Sequence, residues 1–231
     1  MSNQKDSIAI ILSNRYYLYK LLHRVFADEP NLELVEVLTA EHTKDSLQLV
    51  LEDDDQRFSS HYELFERLQA AISKDAEDVL DKLKSEYTKL LIGPGKLPAP
   101  PWESVYITKE NTLFQESTLQ VRRTYLEYNF LPANYPREAD DHLALELDFM
   151  AHLSELANTS FEEDKLEDTK KVLLDQQRFL KEHLMVWIGE FAEKIQESKT
   201  HYLYPQMAKL TEQALQLDEF VLEEVLKSLV D

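Results

Sequence analysis

Cysteine is absent from the 231 residues, which excludes a disulfide framework, a thiolate nucleophile and any cysteine-ligated metal. Glycine is almost absent too, with three positions in the whole chain, too few for the tight turns of a strand-rich protein. No window approaches the roughly 18 consecutive apolar residues that a membrane span needs, so no membrane insertion is expected. Near the N-terminus, Ile8-Ala9-Ile10-Ile11-Leu12 gives way at once to Asn14-Arg15. That stretch is short for the apolar part of a signal peptide and lacks a small-residue cleavage site, so the expected location is the cytoplasm. Positive charge is scarce: 25 Lys and Arg stand against 44 Asp and Glu, a formal net charge of −19. Such a surface repels DNA and RNA and attracts basic partners, although solubility alone also accounts for it.

What is present is helical periodicity. Apolar residues recur at spacings of three and four nearly everywhere, and no period-two alternation runs long enough for a strand. Residues 6–27 carry Ile8, Ile11, Leu12, Tyr16, Tyr19, Leu22 and Phe26, and Pro30 ends the run. Residues 60–91 predict one or two helices with Tyr62, Phe65, Leu68, Ile72, Val79, Leu83, Tyr87 and Leu90 facing inward. Residues 162–198 predict one long helix or a broken pair through Leu173, Leu174, Phe179, Leu180, Leu184, Trp187 and Phe191. A last helix follows Pro205 to about Val230. The expected fold is all-α, without a sheet, as a single compact bundle-like domain over residues 1–231.

Two segments, residues 93–106 and 130–142, interrupt this pattern. Together they hold six of the eight prolines and two of the three glycines. Proline fixes φ and removes a donor, so packing must order them, either as clamps between helices or as binding surfaces. In the first, Trp102 and Tyr106 follow the prolines as core plugs or as the lining of a pocket with Leu90 and Leu91. In the second, Asp140 and Asp141 stand where a helix begins, and at least one is expected to cap it. On that helix His142 and Glu146 fall about 40° apart, in the middle of a broad apolar arc, with Asp148 and Glu155 outside. Two ionisable groups buried there need partners, and the i, i+4 relation makes each other the first choice. The alternative is a recognition site at that helix start, where Asp141 receives a cation.

Other chemistry lacks its residues. None of the seven histidines follows a glutamate at three positions, and no His-Glu-x-x-His occurs, so no metal site is expected. Gly93-Pro94-Gly95 is not a phosphate loop, and no serine nucleophile elbow is present, so neither nucleotide hydrolysis nor any other enzymatic activity is expected.

The run Glu86-Tyr87-Thr88-Lys89-Leu90-Leu91-Ile92-Gly93-Pro94, continued by Leu97-Pro98-Ala99-Pro100-Pro101-Trp102-Glu103-Ser104-Val105-Tyr106, resembles the first signature of the TorD/DmsD chaperone family. The run Glu138-Ala139-Asp140-Asp141-His142-Leu143-Ala144-Leu145-Glu146-Leu147-Asp148-Phe149-Met150 resembles its second. Weaker similarity lies at Glu116-Ser117-Thr118, Tyr125, and Phe179-Leu180-Lys181-Glu182-His183-Leu184 with Trp187. The resemblance implies a cytoplasmic all-α chaperone that binds the twin-arginine signal peptide of a molybdenum-containing reductase. It also implies that the chaperone delays export of this catalytic subunit until the molybdopterin cofactor, carried by the client alone, is inserted. The family's peptide-binding positions map onto Tyr87, Leu90, Leu91, Pro101, Trp102, Asp141 and His142, to which the residue reading adds Pro100, Glu103, Tyr106, Asp140 and Glu146. Leu91 stands where many relatives carry Phe, Ala139 where they carry Pro, and Tyr87 where some carry Trp. The alternatives are an assembly chaperone of the nitrate-reductase type and a general helical adaptor. Helices on short connections allow a monomer or a domain-swapped dimer.

Overall fold

The computed structural model of the chain describes residues 2–51, 55–107, 116–131 and 138–229, and its described residues form helices and turns without a strand. In order these are α1 (Ser2–Ala27), α2 (Leu32–Thr39), α3 (Glu41–Leu51), α4 (Asp55–Ile72), α5 (Ala76–Tyr87), α6 (Glu103–Ile107), α7 (Glu116–Glu127), α8 (Leu143–Glu162), α9 (Leu166–Phe179), α10 (Met185–Glu197) and α11 (Tyr204–Ser228). Two five-residue π-helical turns, Thr88–Ile92 and Leu180–Leu184, continue α5 and α9. The all-α expectation holds. Residues 132–137 of the second proline segment lie outside the described residues.

Within the chain two compact units are distinguished, each assembled from separated stretches. The first comprises Met1–His23, Trp102–Trp187 and Leu215–Asp231, and the second Arg24–Pro101 and Ile188–Ala214.

In the first unit α8 is the central element. Leu143, Leu147, Phe149, Met150, Leu153 and Ala157 are all fully buried, an apolar girth too wide for a surface helix. It packs along α9, and an aromatic cluster forms there, with the rings of Tyr125 and Phe149 4.7 Å apart and those of Phe149 and Phe179 4.8 Å apart. Among the polar groups inside, Gln176 donates to the Met150 carbonyl at 2.9 Å and to Ser154 Oγ at 2.7 Å. The buried Arg15 of α1 donates to both oxygens of Asp218 on α11 at 2.5 and 2.9 Å, and the Tyr19 hydroxyl adds a third bond at 2.6 Å.

In the second unit α2, α3 and α5 contact α4. Phe26, Phe191, Tyr87 and Tyr204 form a ring cluster with centroids 5.6–6.2 Å apart. The N-terminus of α11 is held by Glu86, whose carboxylate accepts from the backbone N–H groups of Tyr202, Leu203 and Tyr204 at 2.9, 2.7 and 3.1 Å.

The helical spans read from periodicity match α1, α4 with α5, the α9–α10 pair and α11. Four helices escaped that reading: α2, α3, α6 and α7. α2 and α3 lie in residues 32–51, although Asn31 is a capping residue and accepts from Leu34 N–H at 2.8 Å. α6 is a single turn inside the first proline segment. Of the apolar residues in those periodic runs, Ile11 and Leu174 are exposed, at 36% and 54%; α9 buries its Leu173, Gln176 and Phe179 face instead.

Candidate functional site

The two signature segments meet in the first unit. Trp102 and His142 form an isolated antiparallel bridge, the one β-type pairing among the described residues. Their rings stand edge to face at 5.5 Å. Beside the bridge Glu103 N–H donates to the Asp141 carbonyl at 3.0 Å, and Ser104 N–H donates to Asp141 Oδ2 at 2.9 Å. Asp141 therefore caps α6, the short helix of the other segment. Trp102 Nε1–H donates to Glu138 Oε1 at 2.9 Å, closing the junction from its outer side.

This overturns the expected capping of α8. Its N-cap is His142, in extended backbone at φ −75° and ψ 135°, and His142 Nδ1 accepts from Ala144 N–H at 3.1 Å. An accepting Nδ1 must be unprotonated. Burial, the largest influence, accordingly pulls the imidazole down to about 4, against the opposing charge of Asp141. Asp140 instead pairs with Arg122, at 2.6 Å from Nε and 2.5 Å from Nη2, while its carbonyl accepts from the buried Tyr125 hydroxyl at 2.9 Å. Burial raises the Asp140 carboxyl and Arg122 restrains it.

The expected His142–Glu146 side-chain pair does not form either. His142 lies before the first helical residue, so its side chain leaves the lattice on which i and i+4 groups meet. Glu146 is fully buried and turns inward, where Oε2 accepts from Trp187 Nε1–H at 3.3 Å and its carboxyl faces that of Glu103 within hydrogen-bonding reach. His183, on the π turn Leu180–Leu184, donates from Nδ1 to Glu103 Oε2 at 2.9 Å. Tyr106 stacks on Trp187 at 5.2 Å and is a core residue of this unit.

Of the twelve candidate binding residues, Tyr87, Leu90, Leu91, Pro100 and Pro101 belong to the second unit and the other seven to the first. Tyr87 ends α5, and Leu90 and Leu91 sit on the π turn that follows, which Gly93 closes at φ 101°. Nine of the twelve are buried; Pro100, Trp102 and His142 are partly exposed. What a ligand meets in the first unit is thus an aromatic–imidazole pair over buried carboxylates. Asp141 Oδ1 is fully buried and has no hydrogen-bond donor among the described residues. A buried carboxylate oxygen without a donor is costly and seeks a cation or an N–H group. Among the described residues no three His, Asp or Glu groups are placed to hold a metal ion, and no helix is long and apolar enough to cross a membrane.

Sequence reasoning missed Glu86, Arg122 and His183 as members of these networks. Glu86 and His183 stand inside the matching runs, but their partners lie 116 or more and 80 positions away, and no local spacing announces them.

Comparison with known proteins adds four findings. Residues 55–193 match the family model described as nitrate reductase delta subunit. A protein of Haemophilus influenzae named "Probable Tat proofreading chaperone DmsD" is 28% identical over 85% of this chain and 86% of its own length. A Vibrio cholerae protein named "Chaperone protein TorD" is 29% identical over 67% of this chain and 68% of its own. Among solved structures, a candidate redox enzyme maturation protein from Archaeoglobus fulgidus covers 87% of this chain and 93% of its own, at 20% identity and a TM-score of 0.48.

Proposed function

The chain belongs to the nitrate reductase delta subunit family, and from that premise we propose that it is a cytoplasmic maturation chaperone that captures the twin-arginine signal segment of a molybdenum-containing reductase. It does not act as an enzyme. The names of the matched relatives support the chaperone class, and the site supports the kind of segment. The observation that carries the reading is the Asp141 carboxylate, buried where the two signature segments join, with one oxygen lacking a donor under the half-open Trp102–His142 pair. A guanidinium has donors in a planar fork suited to a carboxylate, and aromatic faces accept cations and apolar side chains alike. The acidic surface adds long-range attraction for a basic segment. The client, not the chaperone, carries the molybdopterin group.

The test is calorimetric titration with twin-arginine signal peptides from the same organism's molybdoenzymes. Asp141→Asn is the informative variant, because its amide oxygen can still accept from Ser104 N–H while the charge is gone. Binding of one peptide, weakened about tenfold or more in Asp141→Asn and in a peptide with both arginines replaced by glutamine, supports the reading. Equal binding by wild type and variant overturns the role of Asp141. The family model's own description favours one second reading, a client of nitrate-reductase type. Binding to a catalytic subunit that lacks a cleavable twin-arginine segment, with no response to the peptides, would select it.

A further inference from the structure

Glu146 is enclosed by groups that leave it poorly able to carry a charge. Trp187 donates to its Oε2, its Oε1 is buried without a donor among the described residues, and the Glu103 carboxyl faces it. Asp141 stands ahead of it in the chain, and Tyr125 of α7 lies near enough to feel its charge. His183 donates to Glu103 from the other side, and the more distant Asp140 is answered by Arg122. Among the described residues no lysine or arginine is paired with Glu103, Asp141 or Glu146. Two carboxyl groups in contact are both acceptors unless one keeps its proton. A proton on Glu146 supplies the donor that this contact lacks and removes one of three buried negative charges. Burial first, then the charges of Glu103 and Asp141, hold Glu146 well above the ordinary carboxylate range.

We propose that the Glu103–Glu146 pair holds one proton in the free chain and gives it up to solvent when a cationic segment settles over Trp102, His142 and Asp141, so that capture is coupled to proton release. The coupling rests on the site proposed above. A positive charge beside Asp141 offsets its field at Glu146 and favours the ionised pair; the O–H bond of Glu146 breaks and the proton passes to the buffer. Linkage then requires binding to tighten as pH rises, at most about tenfold per pH unit for one proton. His142 does not supply this proton, because it is already neutral at pH 7.

The experiment is titration of the full chain with a twin-arginine peptide at pH 7, in buffers that differ in ionisation enthalpy. The wild type should show an apparent enthalpy that varies with the buffer, corresponding to release of a sizeable fraction of one proton. In Glu146→Gln, whose amide keeps a donor toward Glu103 and an acceptor for Trp187, the release should fall close to zero whatever its affinity. A buffer-independent wild-type enthalpy overturns the coupling and leaves the capture site standing. Unchanged release in Glu146→Gln overturns its assignment to this pair. Absence of peptide binding by the wild type overturns both proposals. Should Glu146→Gln not fold, Glu103→Gln tests the same pair, and the protonated-carboxyl band in the infrared spectrum of the free wild type, lost on peptide addition, gives an independent reading.

Discussion

At the scale of single residues, the buried polar groups carry the strongest consequences. Glu86 holds three N–H groups at the start of α11, so Glu86→Ala should cost about 2–4 kcal/mol by urea unfolding, and Glu86→Gln less, because its one carbonyl oxygen still accepts. Asp218→Ala leaves the buried Arg15 guanidinium without its carboxylate and should cost about 3–5 kcal/mol. His142 makes a pH-dependent contribution. The folded chain holds it near 4 and the unfolded chain returns it to its ordinary 6.5, so the unfolded chain takes up more protons between those values. Its contribution is therefore complete above about pH 6.5 and is lost as pH falls toward 4. Glu146, raised by burial, slopes the other way, losing its contribution as pH rises above the ordinary carboxylate value. The clean observable is a difference: the stability gap between wild type and His142→Asn, a capping residue that does not titrate, should shift against the wild type between pH 6.5 and 4. The candidate residues themselves were legible in the sequence, because they stand in two compact runs. Their bonding was not. Asp141 capping α6 instead of α8, and Glu146 turning to Glu103 instead of His142, depend on which segment folds back onto which, and the i, i+4 relation carries no information about that.

At the scale of elements, the two π turns interrupt long helices where the sequence shows unbroken periodicity. A π turn accommodates one residue beyond the α-helical count, and such insertions concentrate at functional sites. The turn Leu180–Leu184 places His183 against Glu103 and precedes Trp187, which binds Glu146. Deleting the exposed Glu182 should relax the turn to α-helix and leave the following residues close to their orientation relative to α9, because the turn itself absorbs the extra residue. Trp187 should then keep Tyr106 and Glu146, while the turn that presents His183 to Glu103 is lost. With only two tryptophans in the chain, the expected outcome is an unchanged tryptophan emission together with a lowered unfolding midpoint, without loss of helix content. The long helices were readable because their apolar stripes run for many turns. α6 was not, because five residues inside a proline segment give no period to read; its existence depends on the cap that Asp141 provides from 37 positions away.

At the scale of the whole molecule, the charge of −19 predicts strong salt dependence of client capture. Raising sodium chloride from about 50 mM to about 500 mM should slow association with a dibasic peptide several-fold, and that of its diglutamine counterpart far less, as stopped-flow fluorescence would show. All-α architecture was legible from scarce glycine and helical spacing. The division into two units was not, because no linker composition marks the points where the chain leaves one unit for the other.

That interleaving has a consequence for how the protein comes into being. Arg15 is made early and its carboxylate partner, Asp218, comes 203 positions later. At about 5–20 residues per second, α1 waits about 10–40 s on the ribosome with a guanidinium that has nowhere to be buried. The first unit is thus completed only after nearly the whole chain has been translated, and a chaperone for other proteins spends its own infancy unfinished.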